Sequence, residues 1–310
     1  MGKIAFLMTG QGAQKVGMGR DLYEKEEAAK AVFDMGEALR PGTLQQCFDS
    51  DQDTLTQTQN TQPCLYLMDL ACARVLEAHG IHADMTAGFS LGEIAALSYS
   101  EVLTEEEAFR LVTLRGEKMA ECAVRHPGSM AAVLRLTAEQ VENLCESYED
   151  VYPVNYNCPG QTVVAGAKEQ IADFSEKVKE AGGRAMPLAV SGAFHTPYMQ
   201  DATEALHQYL LELPVKQPSI PLIANTTAEP YPIETQEIVR LIAKQASNSV
   251  KWEKTLRYMK SCGVDTFIEV GAGTTLSGLV KKTLTDVKIM NVTDVESLQH
   301  VIEELTVERQ

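Results

Sequence analysis

Three residues in this chain have types and settings that could do chemistry together: a serine in Gly88-Phe89-Ser90-Leu91-Gly92, a histidine in Gly192-Ala193-Phe194-His195-Thr196-Pro197, and an arginine at position 115. GxSxG between a strand and a helix is a nucleophile elbow, whose glycines permit the tight turn that lifts the serine hydroxyl above the sheet edge. A serine hydroxyl is a poor nucleophile until a base takes its proton, so a histidine must stand near it. Of the six histidines, His79 precedes Gly80 at a helix end, His126 adjoins Pro127, His207 is inside a helix and His300 is near the C-terminus; His82 carries no signal of its own. His195 alone lies on a loop between a predicted strand and a predicted helix, where α/β proteins gather their chemistry. It is the candidate general base.

Arg115 is singled out by its helical neighbours. Ala108, Leu111, Val112, Met119 and Cys122 stand seven, four and three residues before it and four and seven after it. At 100° per residue they fall within about 60° of it, so the arginine is on the apolar face. An inward guanidinium is costly unless a carboxylate or phosphate meets it, usually through two parallel hydrogen bonds. An internal acid could satisfy it, or its stem could snorkel to water; otherwise the ligand brings the carboxylate.

These side chains need a frame. Residues 3–8 read as a buried strand ending at Gly10 and Gly12, and 21–40 as one helix. Thr61 is expected to cap a helix with Pro63 in its first turn and Gly80 just past its end. A strand at 85–87 runs into the elbow and a helix, and Thr104-x-x-Glu107 is a capping box opening a helix to about Ala123. Strands alternating with helices predict a mainly parallel sheet covered on both faces. The middle differs: strand 129–136, a helix capped by Thr137, strands 152–157 and 162–166, helix 171–181 and strand 184–190 form a βαββαβ unit. That is the ferredoxin-like order, expected here as an inserted subdomain over 127–191 between large-domain segments 1–126 and 192–310. Alternation then resumes with helix 197–213, strand 220–225, helices near 235–246 and 252–261, strand 266–270, helix 275–284, strand 288–292 and a closing helix.

Composition narrows the class. The chain has 310 residues, with 27 Lys plus Arg against 43 Asp plus Glu and a formal net charge of −16. Such a balance repels nucleic acid and anionic membrane surfaces, so neither is an expected partner. Seven cysteines, an odd number with no CxxC pair, argue against a disulfide framework or a Cys-rich zinc site and for a reducing cytoplasm. No metal is expected. The start, MGKIAFLMTGQG, lacks a signal-peptide cleavage site, and no apolar run approaches the ~18 residues of a membrane span.

Six motifs occur in one order: Gly10-Gln11-Gly12-Ala13-Gln14, Thr61-Gln62-Pro63, Gly88 to Glu93, Leu114-Arg115-Gly116-Glu117, Gly192-Ala193-Phe194-His195 and Glu269-Val270-Gly271-Ala272-Gly273. Together, from residue 4 to about 285, they resemble the malonyl-CoA:acyl carrier protein transacylases and related acyltransferase domains of polyketide synthases. The resemblance implies an α/β-hydrolase-like large domain with a ferredoxin-like small one. It implies transfer of malonyl from malonyl-CoA to the pantetheine thiol of acyl carrier protein through a serine ester, for fatty acid synthesis or a polyketide pathway, with no cofactor. By the same resemblance Ser90 is the nucleophile and His195 its base, and the amides of Gln11 and Leu91 form the oxyanion hole. Arg115 clamps the free malonyl carboxylate, Gln62 lines the pocket, and Phe194 crowds the site of an α-methyl group. The histidine's second nitrogen meets a main-chain carbonyl in the stretch Asn248 to Trp252, taken as Val250 or Lys251. Phe89 replaces the family's usual histidine, Ser249 and Ala272 its usual prolines.

Two other readings stay open. A serine hydrolase would use the same elbow and base with water as acceptor. A nucleotide-binding module would use Gly10-Gln11-Gly12 or Gly271-Ala272-Gly273, although Lys15 and Leu276 stand where GxGxxG needs its third glycine. Lys251, Lys254, Arg257, Lys260, Lys281 and Lys282 form the richest local run of positive charge and are the expected docking patch for an acidic carrier, unless they are simply a solvated face.

Overall fold

The structure, a computed structural model, describes residues 2–190 and 192–307. Its strands are β1 (Lys3–Met8), β2 (Met85–Gly88), β3 (Gly128–Leu134), β4 (Val151–Cys158), β5 (Gln161–Ala167), β6 (Arg184–Pro187), β7 (Leu222–Ile223), β8 (Val264–Val270) and β9 (Lys288–Val292). Five form a sheet in the order β7-β2-β1-β8-β9, every pair parallel. The other four form an antiparallel sheet in the order β4-β5-β3-β6. The βαββαβ unit therefore closes as the ferredoxin-like sheet the element order predicts, beside a parallel sheet of the α/β class.

β1 shows why the large sheet is covered twice. Ile4, Phe6 and Met8 face one core with Leu65, Tyr66 and Leu97, whereas Ala5 and Leu7 face another with Trp252, Leu256 and Val280. A parallel strand buried on both faces reads as the unbroken apolar run seen here. Its neighbour β2 sets its C-terminal end level with that of β1, pairing Met8 with Gly88. The turn that follows β2 thus opens at the carboxyl edge of the sheet.

Local chemistry sets the helix ends. Thr104 and Glu107 form the expected capping box on helix Glu105–Arg125, and Thr137 and Gln140 form a second on Ala138–Cys145. The long buried helix Thr58–Ala78 ends as the sequence indicates: Gly80 takes φ 74°, Ile81 N donates to Leu76 O at 2.9 Å and Gly80 N to Glu77 O at 2.8 Å.

Its start differs from expectation. The helix begins at Thr58 because Gln57 O already accepts from both Asn60 N and Thr61 N at 2.8 Å. Thr61 is therefore inside it, its hydroxyl donating to Leu55 O at 2.6 Å, and Pro63 sits in the second turn, where it forfeits one bond to Gln59. The expected helix over 21–40 is two, Arg20–Lys25 and Glu27–Leu39, broken where Glu26 is extended. The first piece sends Asp21 to the amide of Val295, at the start of the closing helix Val295–Val307. β6 stops at Pro187, and the 197–213 helix begins as a 3-10 turn over Pro197–Met199 before running from Gln200 to Leu210.

Candidate active site

The elbow is built by exclusion of side chains. A Cβ on Gly88 would lie 1.9 Å from the carbonyl carbon of Gly92, and one on Gly92 2.4 Å from Thr9 O, so only hydrogens fit where the turn crosses β1. Between them Ser90 is held in the left-handed region, φ 54°, a conformation that costs a non-glycine residue free energy and persists only where its surroundings fix it. The fixing groups are amides. Asn225 Oδ1 accepts from Ser90 N at 2.8 Å while its Nδ2 donates to Gly88 O at 2.6 Å, and Gln245 Nε2 donates to Ser90 O at 2.5 Å.

His195, itself at φ 63°, is anchored by its own amide on Ala246 O and places Nε2 2.8 Å from Ser90 Oγ. Its Nδ1 is 3.0 Å from both Gln245 O and Asn248 O. Two carbonyls can only accept, so the ring proton is on Nδ1 and the lone pair of Nε2 faces the serine hydroxyl. Val250 and Lys251, expected in this role, do not fill it. Val250 bridges the small sheet, its carbonyl accepting from Tyr156 N at 2.9 Å, and Lys251 O accepts from Thr255 N. The turn over Gln245–Ser247 brings earlier carbonyls to the ring instead.

Arg115 is buried, 1% exposed. Nη1 donates to Gln62 Oε1 at 2.8 Å, and Nη2 donates to Gln245 Oε1 at 2.7 Å and Ser90 Oγ at 3.2 Å. Among the described residues no carboxylate makes an ion pair with it. Burial pulls its pKa down to about 10, opposed by the charge of Glu93. That glutamate binds elsewhere, its Oε1 accepting from Tyr231 OH at 2.6 Å and Asn225 N at 3.3 Å, and burial raises it to about 7. Burial first, then the Arg115 charge, lowers His195 to about 4, so at neutral pH the imidazole is an uncharged proton acceptor.

The remaining expected site residues fall around this centre. Gln11 and Phe89 line a cavity of about 230 Å³ with Gly10, Gly12, Asn155, Asn157, Gln161 and Leu188, between the two sheets. Gln62 is buried against Arg115 and Met119 and orients the guanidinium. Leu91, fully buried, is the N-cap of helix Gly92–Tyr99. Among the described residues neither the Leu91 amide nor that of Gln11 has a protein acceptor. Phe194 packs in the main core and against Gly192 and lines neither this cavity nor the neighbouring one around Val124. Phe89 packs edge-on to Trp252, 5.3 Å between ring centres. Ser191, which precedes the histidine motif, lies outside the described residues.

Residues 5–306 match the family model described as an acyl transferase domain. The chain belongs to the acyl transferase family. It is an enzyme of that class, and its relatives agree on one reaction. A malonyl CoA-acyl carrier protein transacylase of Bacillus subtilis (strain 168) is 38% identical, over 98% of each chain. The crystal structure of a malonyl CoA-acyl carrier protein transacylase from Clostridium perfringens superposes with a TM-score of 0.95 at 36% identity, over 99% of this chain and 98% of that one. A malonyl-transacylase in complex with a type II polyketide synthase acyl-carrier protein gives 0.93 at 31% identity, over 97% and 99%. Among the described residues no cluster of three or more His, Cys, Asp or Glu is placed to hold a metal, and no helix is long and apolar enough to cross a membrane.

Reading the sequence for catalytic types missed Asn225, Gln245 and the Glu93–Tyr231 pair. Gln245 carried a usable signal. It stands seven residues after Ile238 and three after Ile242, both buried, so the face argument that isolates Arg115 isolates it too.

Proposed function

We propose that the protein transfers a malonyl group from malonyl-CoA to the pantetheine thiol of acyl carrier protein, supplying extender units for fatty acid synthesis. One observation carries the reading: a buried guanidinium, with no carboxylate bound to it among the described residues, stands 3.2 Å from a serine hydroxyl that also touches a neutral imidazole. A dicarboxylic acyl group fits that arrangement, its thioester carbon at Ser90 and its free carboxylate at Arg115.

Ser90 Oγ attacks the thioester carbon as Nε2 of His195 takes the hydroxyl proton. The oxyanion is met by the Gln11 and Leu91 amides, the latter at a helix N-terminus. Collapse breaks the C–S bond, the proton passes from His195 to the sulfur, and CoA thiol leaves a malonyl ester on Ser90. The carrier's thiol then gives its proton to His195 and attacks the ester; collapse breaks the bond from the acyl carbon to Ser90 Oγ, His195 returns the proton to Oγ, and the acyl group departs as the malonyl thioester. Neither half changes an oxidation state, so the chemistry calls for no electron carrier. Asn155 and Asn157, on the cavity wall, each hold a side-chain oxygen without a partner and are suited to the amides of a pantetheine arm.

Residues 127–191 act as an inserted subdomain; the pairing of Pro127 with Gly192 supports this, since the chain leaves and re-enters the large domain at adjacent points. The carrier docks on helices Trp252–Ser261 and Thr275–Thr283. Arg257 there is tied to Glu253 and Lys260 to Asp286 O, while Lys254, Lys281 and Lys282 are exposed. Seven free cysteines suit a reducing cytoplasm.

Rapid quenching with malonyl-CoA tests the reading. Expected is one equivalent of CoA thiol released in a burst, with a malonyl ester on the Ser90 peptide that persists until a pantetheine thiol is added. Steady release of malonate with no trapped ester would make the protein a hydrolase.

A further inference from the structure

Gln245 touches Ser90, His195 and Arg115 at once. Its main-chain carbonyl meets His195 Nδ1 at 3.0 Å, its Nε2 donates to Ser90 O at 2.5 Å, and its Oε1 accepts from Arg115 Nη2 at 2.7 Å. The side chain is itself seated, since Nε2 also reaches Asn225 Oδ1 at 3.3 Å, and the residue is 2% exposed. A side-chain amide accepts from a guanidinium through its oxygen and donates to a carbonyl through its nitrogen. A glutamate of the same length would accept from Arg115 through charge and have nothing to donate to Ser90 O.

The difference matters because Arg115 is buried. A neutral acceptor satisfies one N–H without neutralising the cation, so its charge remains for whatever enters beside Ser90. Gln62 does the same at Nη1. Among the described residues the acid that Arg115 feels, Glu93, is turned to Tyr231 and Asn225 and makes no bond to it.

Building on the roles of Ser90 and Arg115 proposed above, we propose that Gln245 is a positioning residue that sets acyl selectivity, its side-chain amide holding Arg115 beside Ser90 with the guanidinium charge unspent. A carboxylated acyl group then meets a full cation, and an uncharged one gains little from it. The main-chain carbonyl on His195 survives any side-chain change, which separates selectivity from base orientation.

The test compares Gln245→Glu, Gln245→Met and Arg115→Ala in kcat/KM for malonyl-CoA and acetyl-CoA, with thermal melts beside them. Gln245→Glu should lower malonyl transfer about 10- to 100-fold more than acetyl transfer, so the malonyl preference collapses, on top of a loss shared by both substrates because Ser90 O no longer has its donor. Gln245→Met, uncharged and of similar length, should lower kcat for both substrates and keep most of the preference. Should Gln245→Glu fail to fold, Gln62→Glu puts the same charge on the other Nη and should collapse the preference likewise. A folded Gln245→Glu, or failing that Gln62→Glu, with the wild-type malonyl preference overturns the inference. If Arg115→Ala abolishes the preference in that case, the function proposed above still stands. If Arg115→Ala leaves the preference intact, both fall together.

Discussion

The acid limb of Ser90 reactivity reports directly on how His195 is buried. A solvated imidazole titrates near 6.5, and burial with the Arg115 charge brings this one to about 4. At pH 5.5 an ordinary histidine would be only about 9% neutral, whereas one titrating near 4 would be about 97% neutral and still able to accept the serine proton. An uncharged fluorophosphonate is the suitable probe, because it needs the base and carries no carboxylate of its own to titrate. The rate of Ser90 phosphonylation, read by intact mass from pH 3.5 to 8, should be flat down to about pH 5 and halve near 4. Stability is to be followed by circular dichroism over the same range. The unfolded chain protonates its histidine first, so His195 stabilises the fold fully above 6.5 and withdraws up to about 3 kcal/mol as pH falls toward 4. Glu93 acts oppositely: its pKa rises from 4.5 to about 7 on folding, so its contribution is present below 4.5 and lost as pH climbs through 7. Between 4.5 and 6.5 the two slopes offset each other; below 4.5 only the His195 loss remains, so the circular dichroism must show folded protein at the midpoint near 4. A midpoint near 6.5 in folded protein would show that the imidazole is solvated and that the burial argument is wrong.

Two further outcomes test the frame. Gly92→Ala would set a methyl 2.4 Å from Thr9 O and 2.6 Å from Met8 O, main-chain atoms that cannot yield without moving β1. The variant should lose Ser90 labelling and melt lower; wild-type labelling would mean the elbow does not need that contact. Thr104→Ala removes one half of the capping box on the helix that carries Arg115, at an exposed end far along the chain from it. It should cost about 1 kcal/mol and lower Tm by roughly 2 °C with kcat unchanged, and a large drop in kcat would tie helix-end order to the site.

What the sequence discloses here is what repeats or punctuates. The unbroken run Ile4 to Met8, the Thr104–Glu107 capping box, the Thr137 cap, Gly80 past its helix and the βαββαβ order each follow a local rule and appear in the structure. Ser90, His195 and Arg115 stand out because each is the wrong residue type for a bland version of its place: a hydroxyl between glycines, a ring on a loop, a cation on an apolar face. Asn225 offers no such contrast. It follows the two-residue β7, and its neighbours Thr226 and Thr227 are as polar as any loop, so its two bonds to the elbow depend on a fold not visible locally. The acceptors for His195 were misplaced for a related reason. The resemblance alone pointed to Val250 or Lys251, whereas the 3-10 turn over Gln245–Ser247 presents Gln245 O and Asn248 O to the ring.

The charge pattern of the site explains why neutral groups surround its one cation. Every polar partner bonded to Arg115 or to the His195 ring is uncharged: Gln62, Gln245, Ser90 and the carbonyls of Gln245 and Asn248. An aspartate behind Nδ1, as in a Ser-His-Asp triad, would raise the imidazole pKa and add a negative charge to the crevice. At 4 Å and an effective dielectric of 20, two unit charges interact by about 4 kcal/mol. An acid so placed would raise the imidazole toward protonation and compete with a substrate carboxylate for Arg115. Carbonyl acceptors fix the tautomer without either effect, so the same choice that keeps His195 a base keeps Arg115 a receptor. Base strength and acyl selectivity therefore cannot be tuned separately by charge at this site: any carboxylate introduced within reach of Gln245 should shift both, and in opposite directions.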